Sequence, residues 1–173
     1  MKILETNRLF LREFSILDAH NLFELNNDPQ VIRYTGDIAF DWVKDAEDFI
    51  KNYTHYKKYG FGRWAVIQKS DSQFLGWCGL KFSTDIDEVD IGFRFHKRFW
   101  NQGFATEAAS SCLEYGFQKL NLTSIVGRAM KENLSSILVL EKIGLTFDKS
   151  FDFDNNQGVI YKILKSNSKT ENR

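Results

Sequence analysis

Residues 98–108 read RFWNQGFATEA: aromatics, amides and a lone glycine set directly before a helical pattern. A helix N-terminus leaves backbone N–H groups without intrahelical partners and carries partial positive charge, so it attracts phosphate. For several such N–H groups to converge on one pyrophosphate, the chain must pass close to it, which favours a residue without a side chain. Gly103 supplies that, and the small Ala105 keeps the next turn open. Asn101, Gln102 and Thr106 add polar side chains at the rim, and Lys97 and Arg98 add positive charge upstream. The same residues also describe an ordinary strand-to-helix turn. The stretch is neither a Walker loop nor the three-glycine dinucleotide fingerprint.

A second group of candidates sits just before it. In DEVDIGFRF, residues 87–95, alternation places Glu88, Asp90 and Gly92 on one face and Val89, Ile91 and Phe93 on the other. Carboxylates so placed can accept a proton, line a solvated acidic face, or pair with Arg94. His20, His55 and His96 are scattered, without triad or metal spacing, and read as surface or packing residues. Cys78 and Cys112 read as buried small hydrophobes rather than a bridge, and no CxxC or His/Cys cluster suggests a metal.

The elements that must hold these residues follow from periodicity and breakers. Arg8 to Phe14 alternates as a strand; Ser15 and Asp18 then form a capping pattern that opens a helix through Leu17, Leu22, Phe23 and Leu25. NNDPQV, with the sole proline, Pro29, breaks it. A second helix is expected from about Phe40 to Tyr59. Strands GRWAVIQK and QFLGWCGLKF, joined by the turn Lys69 to Ser72, precede DEVDIGFRF. The quoted stretch leads into a long helix to about Leu120, with Ala105, Ala109, Cys112, Leu113, Phe117 and Leu120 on its apolar face. SIVGRAM is another strand, NLSSILVLEKIG a short helix stopped by Gly144, and LTFDKSFDF with GVIYKIL a closing hairpin over residues 154–157. The order β-α-α-β-β-β-α-β-α-β-β implies one α/β (α+β) domain over 1–165. Its sheet is mixed and mostly antiparallel, with about six or seven strands and about four helices. Residues 166–173 form a polar tail, expected to fray.

Composition bounds the partners. The 173 residues, 43% hydrophobic with 16 Phe, are enough for a substantial core. Lys plus Arg and Asp plus Glu are equal at 23 each, which argues against bulk binding to nucleic acid or anionic membrane. No run of about 18 apolar residues suggests a membrane span. The N-terminal segment, interrupted by Glu5, Asn7, Arg8, Arg12 and Glu13, has no signal-peptide core, so a cytoplasmic location is expected.

The element order and FWNQGFATEA together resemble the GNAT superfamily of acetyl-coenzyme A-dependent N-acetyltransferases, most closely its RimJ/RimL-like branch, the ribosomal-protein N-terminal acetyltransferases. LETNRLFLREFSILDAHNLFELNNDPQVIRY is similar to that branch's opening, FLGWCGL to its central hairpin, and ENLSSILVLEKIGL to its second signature. The resemblance implies the GNAT fold, acetyl-CoA as co-substrate, no metal, and direct acetyl transfer to a primary amine, on a protein N-terminus or a small molecule. The loop Asn101, Gln102, Gly103, Phe104, Ala105 and Thr106 would then wrap the pyrophosphate. Strand end Arg94, Phe95 and His96 would pair with pantetheine, and Asn133 would touch the same arm or simply cap its helix. Trp100 stands where the family usually has Gln or Arg, and Asn101 where a first glycine is common.

For the chemistry, Asp90 stands at the place of a family Glu that serves as base; being one methylene shorter, it implies a water relay, with Glu88 as the second candidate. The family's tyrosine acid, seven residues after the signature Asn, is here Leu140, and Ser136 matches a serine placed near the sulfur. Tyr34, Trp42, Tyr53, Tyr56, Tyr59, Phe61 and Trp64 shape either an acceptor pocket or the core. Homodimers are common in such proteins. The rival readings are an acyl-CoA-binding module without catalysis and a regulatory domain holding ATP or another phosphate.

Overall fold

The computed structural model describes residues 2–153 and 156–166. An eight-stranded sheet in the order β1-β2-β3-β4-β5-β6-β8-β7 carries the described chain. Its strands are β1 (Lys2–Glu5), β2 (Leu9–Arg12), β3 (Arg63–Gln68), β4 (Phe74–Ser83), β5 (Glu88–Phe95), β6 (Ser124–Met130), β7 (Thr146–Phe153) and β8 (Asn156–Leu164). Only β5 and β6 run parallel; every other neighbour pair is antiparallel. The helices are α1 (Ala19–Asn27), α2 (Pro29–Ile32), α3 (Val43–Lys51), α4 (His55–Tyr59), α5 (Phe104–Gln118) and α6 (Leu134–Lys142).

Three differences from the expected order have local causes. β1 was not anticipated: two apolar residues between Lys2 and Glu5 are too few to show alternation, and the strand is defined by its pairing with β2. Pro29 does not merely break a helix but starts one, at the first position of α2, where its missing N–H costs nothing and Asp28 caps Gln30 N–H at 2.9 Å. The helix expected over 40–59 is two. Asp45 accepts from Trp42 N–H at 2.9 Å and so delays the start to Val43. The chain breaks again at 52–54, where Tyr53 turns its hydroxyl to accept from Arg63 N–H at 2.8 Å. The turn expected over 154–157 includes Asp154 and Asn155, which lie outside the described residues, as does the tail from 167.

The sheet has an apolar layer on each face. Against one lies α5, with Phe104, Ala108, Ala109, Cys112 and Leu113 buried on Leu80, Cys78, Ile91 and Phe95. The Cys78 and Cys112 sulfurs are 3.7 Å apart in this layer as free thiols, and burial pushes the Cys112 thiol up. Against the other face, Ala19, Leu22 and Leu25 of α1 and Ala46 of α3 pack on Ala65, Ile67 and Phe74. The capping pattern is present: Ser15 N–H donates to Asp18 at 2.7 Å, and Arg12 holds the same carboxylate at 2.7 and 2.8 Å.

Candidate active site

The parallel pair β5–β6 stays in register only at Asp90↔Val126 and Ile91↔Gly127. Beyond Ile91 the strands separate, while each keeps its outer partner to the end, β4 for β5 and β8 for β6. Backbone groups at a splayed edge need partners, and none comes from a strand. A cleft of about 710 Å³ opens there. Phe93, Arg94 and Phe95 line it from β5; Asn133, Ser136 and Val139 from α6; Phe99 to Thr106, except Gln102, from the connecting loop; and Gln30 to Thr35, except Ile32, from α2 and its exit.

The loop is shaped by left-handed backbone. Asn101 has φ +58° and Gly103 φ +78°. Alternation of this kind turns successive N–H groups to one side and makes an anion-binding concavity. Asparagine tolerates the left-handed region better than other side chains, so Asn101 keeps the backbone that the glycine expected there from the resemblance would give. Trp100 Nε1 donates to Phe95 carbonyl at 2.8 Å and ties the loop to the end of β5. Gln102 folds back to donate to Arg98 carbonyl at 2.8 Å. The first intrahelical bond of α5 runs from Glu107 N–H to Gly103 carbonyl at 3.0 Å, so the N–H groups of Phe104, Ala105 and Thr106 have no intrahelical acceptor. An anion at the cleft end of α5 would meet those donors and the positive end of the helix dipole.

Asn133 caps α6, its Oδ1 accepting from Ser136 N–H at 3.2 Å, and the residue also lines the cleft. Capping uses only the amide oxygen, leaving the NH2 for a ligand. Leu140 is 2% exposed and lies over Gly127, facing the core rather than the cleft.

Asp90, Gly92 and Arg94 share the opposite face of β5. Asp90 is ion-paired with Arg63 of β3, whose guanidinium also donates to Gly79 carbonyl and to Asp90 carbonyl, the latter at 3.0 Å. Arg63, Gly79 and Gly92 stand in register across three strands. A Cβ on Gly92 would lie 2.6 Å from Arg63 Cζ, so this glycine leaves the corridor through which Arg63 reaches Asp90. Trp77 lies between two guanidinium groups, Arg63 at 5.5 Å and Arg94 at 5.3 Å from its ring. Arg94 in turn donates to Asn26 at 2.6 Å and to Asp37 at 2.5 Å. Tyr53 and Tyr56 brace the Arg63 backbone through their hydroxyls, and burial pushes both phenols up.

Comparison with known proteins decides the family. A model of the acetyltransferase (GNAT) domain matches residues 8–146. The chain belongs to the GNAT acetyltransferase family. It is an acyltransferase that draws on acetyl-CoA, as enzymes of this family do. The chain is 32% identical to the uncharacterized N-acetyltransferase p20 of Bacillus licheniformis, over 86% of this chain and 84% of that one. It is 29% identical to FsC-acetyl coenzyme A-N(2)-transacetylase of Aspergillus fumigatus, over 86% and 66% of the two chains. The crystal structure of a GNAT-family acetyltransferase from Bacillus anthracis superposes with a TM-score of 0.82 at 28% identity, covering 95% of this chain and 98% of that one.

On this GNAT frame the sequence candidates separate. Arg94, Phe95, Asn101, Gly103, Phe104, Ala105, Thr106, Asn133 and Ser136 are brought together around the cleft. Gln102 belongs to the loop but lies outside the lining. His96 is 9% exposed and packs on Phe74 with a ring centroid separation of 6.1 Å; its N–H is already given to Leu75 carbonyl at 3.0 Å. Asp90 and Glu88 are not part of the lining, and Glu88 is ion-paired with Arg128. Of the aromatic group, only Tyr34 reaches the cleft; Phe61 and Trp64 are core, and Trp42 is exposed. Sequence reading did not anticipate Arg63 and Trp77, because their roles depend on a strand order that brings β3 and β4 beside β5.

Proposed function

We propose that the cleft binds acetyl-CoA and that the chain transfers its acetyl group directly, in a ternary complex, to a primary amine. The acceptor is a protein N-terminal α-amine or a small-molecule amine, and the chain acts in the cytoplasm as a RimJ/RimL-like enzyme. The single observation that carries the reading is the coincidence of two devices in one cleft: the splayed β5–β6 edge and the left-handed loop at the start of α5. The loop residues 101–106 would hold the pyrophosphate, the edge at Arg94 and Phe95 would pair with the amides of pantetheine, and Asn133 would add its NH2. The names of p20 and of the fungal transacetylase, which carry N-acetyl transfer and acetyl coenzyme A, support the same direction.

The bound co-substrate supplies an activated acetyl thioester. The protein's part is to orient it, to take a proton from the amine, and to keep the leaving sulfur in a polar setting. Ser136, on the first turn of α6 and in the cleft wall, is proposed as the hydroxyl at the sulfur. Asp90 is proposed as the proton acceptor through water, since its carboxylate shares one oxygen with Arg63 and stands outside the lining. Such a relay suits an acceptor that gives up its proton cheaply. Neutralising an α-amine of pKa about 8 at pH 7 costs about 1.4 kcal/mol, whereas a lysine amine of pKa about 10.4 costs nearly 5.

The experiment is acetyl-CoA turnover, followed by release of free thiol, across peptides with free N-termini, polyamines, amino acids and aminoglycosides. Acceptor-dependent thiol release is expected for at least one class, with peptides or other low-pKa amines ahead of lysine side chains. Release that does not depend on any amine would contradict the proposal.

A further inference from the structure

The turn between β1 and β2 reaches across to the loop at the start of α5, and the contact is built from charged and fully directed bonds. Arg8 Nε donates to Glu107 Oε2 at 2.7 Å, Arg8 N–H to Glu107 Oε1 at 2.9 Å, and Thr6 hydroxyl to the same oxygen at 2.6 Å. Of the two terminal nitrogens of the guanidinium, NH1 donates to the Gln102 carbonyl at 3.0 Å. Its plane lies over the Phe104 ring, 4.3 Å from the centroid, and NH2 is 3.4 Å from where a Cβ of Gly103 would stand. On the far side, Lys69 anchors the turn through Thr6 carbonyl and Glu5. Arg8 itself does not line the cleft.

Two consequences follow from elementary geometry. In a trans peptide the C=O and the next N–H point in opposite directions. A bond that draws the Gln102 carbonyl toward Arg8 therefore turns the Gly103 N–H away from Arg8. A carbonyl left free to swing into the cleft would present negative charge to any phosphate there. The second consequence concerns Glu107, a carboxylate in the first turn of the helix whose positive end faces the cleft. Unmatched, it would oppose an anionic ligand; here three donors hold it on the side away from the cleft.

We propose that Arg8 is a positioning residue for the phosphate loop: fixed by Glu107, it holds the Gln102 carbonyl out of the cleft so that the loop's N–H groups face the pyrophosphate. This rests on the reading of residues 101–106 as the pyrophosphate site and adds to it the residue that sets the loop's conformation. Charge alone does not do this. Lysine in place of Arg8 keeps the charge but cannot hold Glu107 and the Gln102 carbonyl in one fixed fork.

The test is calorimetric affinity for acetyl-CoA and for acetyl-pantetheine, which lacks the pyrophosphate, in Arg8→Gln, Arg8→Lys, Glu107→Gln and, as a control on the loop itself, Gly103→Glu. Arg8→Gln and Arg8→Lys are both expected to weaken acetyl-CoA by about ten-fold or more while changing acetyl-pantetheine less than about two-fold. Glu107→Gln gives the sharpest contrast. Simple removal of a negative charge near the site would tighten acetyl-CoA, whereas release of Arg8 weakens it, and weakening is the expected result. Unchanged affinity in Arg8→Gln, full affinity in Arg8→Lys, or tightening in Glu107→Gln would overturn the assignment. If Arg8→Gln does not fold, Glu107→Gln decides. Should Gly103→Glu bind acetyl-CoA normally, the loop reading falls and this inference with it; should it abolish binding while Arg8→Gln does not weaken it, only the role of Arg8 falls.

Discussion

A carboxylate already engaged by a guanidinium is an unusual place to look for a general base, and Asp90 is such a group. Its partner Arg63 has carbonyl acceptors at Gly79 and Asp90 as well, so the guanidinium keeps hydrogen bonds if the carboxylate is neutralised. Asp90→Asn is therefore expected to leave acetyl-CoA affinity intact while lowering turnover by about 10² or more, the usual scale for losing a positioned base. The loss should be greatest at low pH, where the acceptor amine is protonated, and should shrink as pH approaches the amine's own pKa. A pH–rate profile parallel to that of the wild type would remove Asp90 from the chemistry. Residues whose geometry depends on their own backbone were legible before the fold was known: Gly103 marked the left-handed turn before α5 by type alone. Residues whose task depends on a distant partner were not. Arg8 and Glu107 are 99 positions apart, and Asp90 was offered Arg94 as partner when strand register delivers Arg63.

At the scale of elements, the splay of β5 from β6 is what makes a cleft, and α6 closes one wall of it. That helix is held by Leu140, whose side chain sits where a Cβ on Gly127 would come within 2.5 Å of it. The resemblance implies a tyrosine acid at this position, yet here Leu140 points into the layer between α6 and the sheet. Leu140→Tyr is expected to cost about 1–3 kcal/mol by overpacking, seen in denaturant unfolding, and not to raise kcat. Unchanged stability with faster turnover would mean that the side chain faces the site. The elements that sequence read well were those with many apolar positions in phase, such as α5 and β4. The pieces it misjudged were short or interrupted: β1, the start of α3, where Asp45 caps the helix locally, and the α3–α4 break, where the bond of Arg63 N–H to the Tyr53 hydroxyl outweighs periodicity.

For the whole molecule, buried titratable groups set how stability follows pH. Burial, then the charge of Arg98, pushes His96 below its ordinary 6.5, and Nε2 has no hydrogen-bond partner. His55 is lowered in the same way, by burial first. The unfolded chain then binds more protons than the folded one just below 6.5, so stability is complete above that pH and declines as pH falls through the window beneath it. Glu107 adds a later loss. Burial would raise it, but hydrogen bonds from Thr6 and Arg8 outweigh burial and hold it below 4.5, so its contribution is lost only below that value. Thermal melts from pH 8 to 5 should show Tm level at first and falling below about 6.5, with a shallower fall in His96→Gln. A Tm that rises on acidification through this range would contradict the burial of these rings.

The central claim is that one cleft, built by diverging strands and a left-handed loop, holds acetyl-CoA by its pyrophosphate. Calorimetric titration of acetyl-CoA into the wild type and Gly103→Glu tests it most directly. Saturable binding to the wild type, lost in the variant while its unfolding transition remains cooperative, is the predicted result. Equal affinity in the two proteins, or no binding to the wild type, would contradict it.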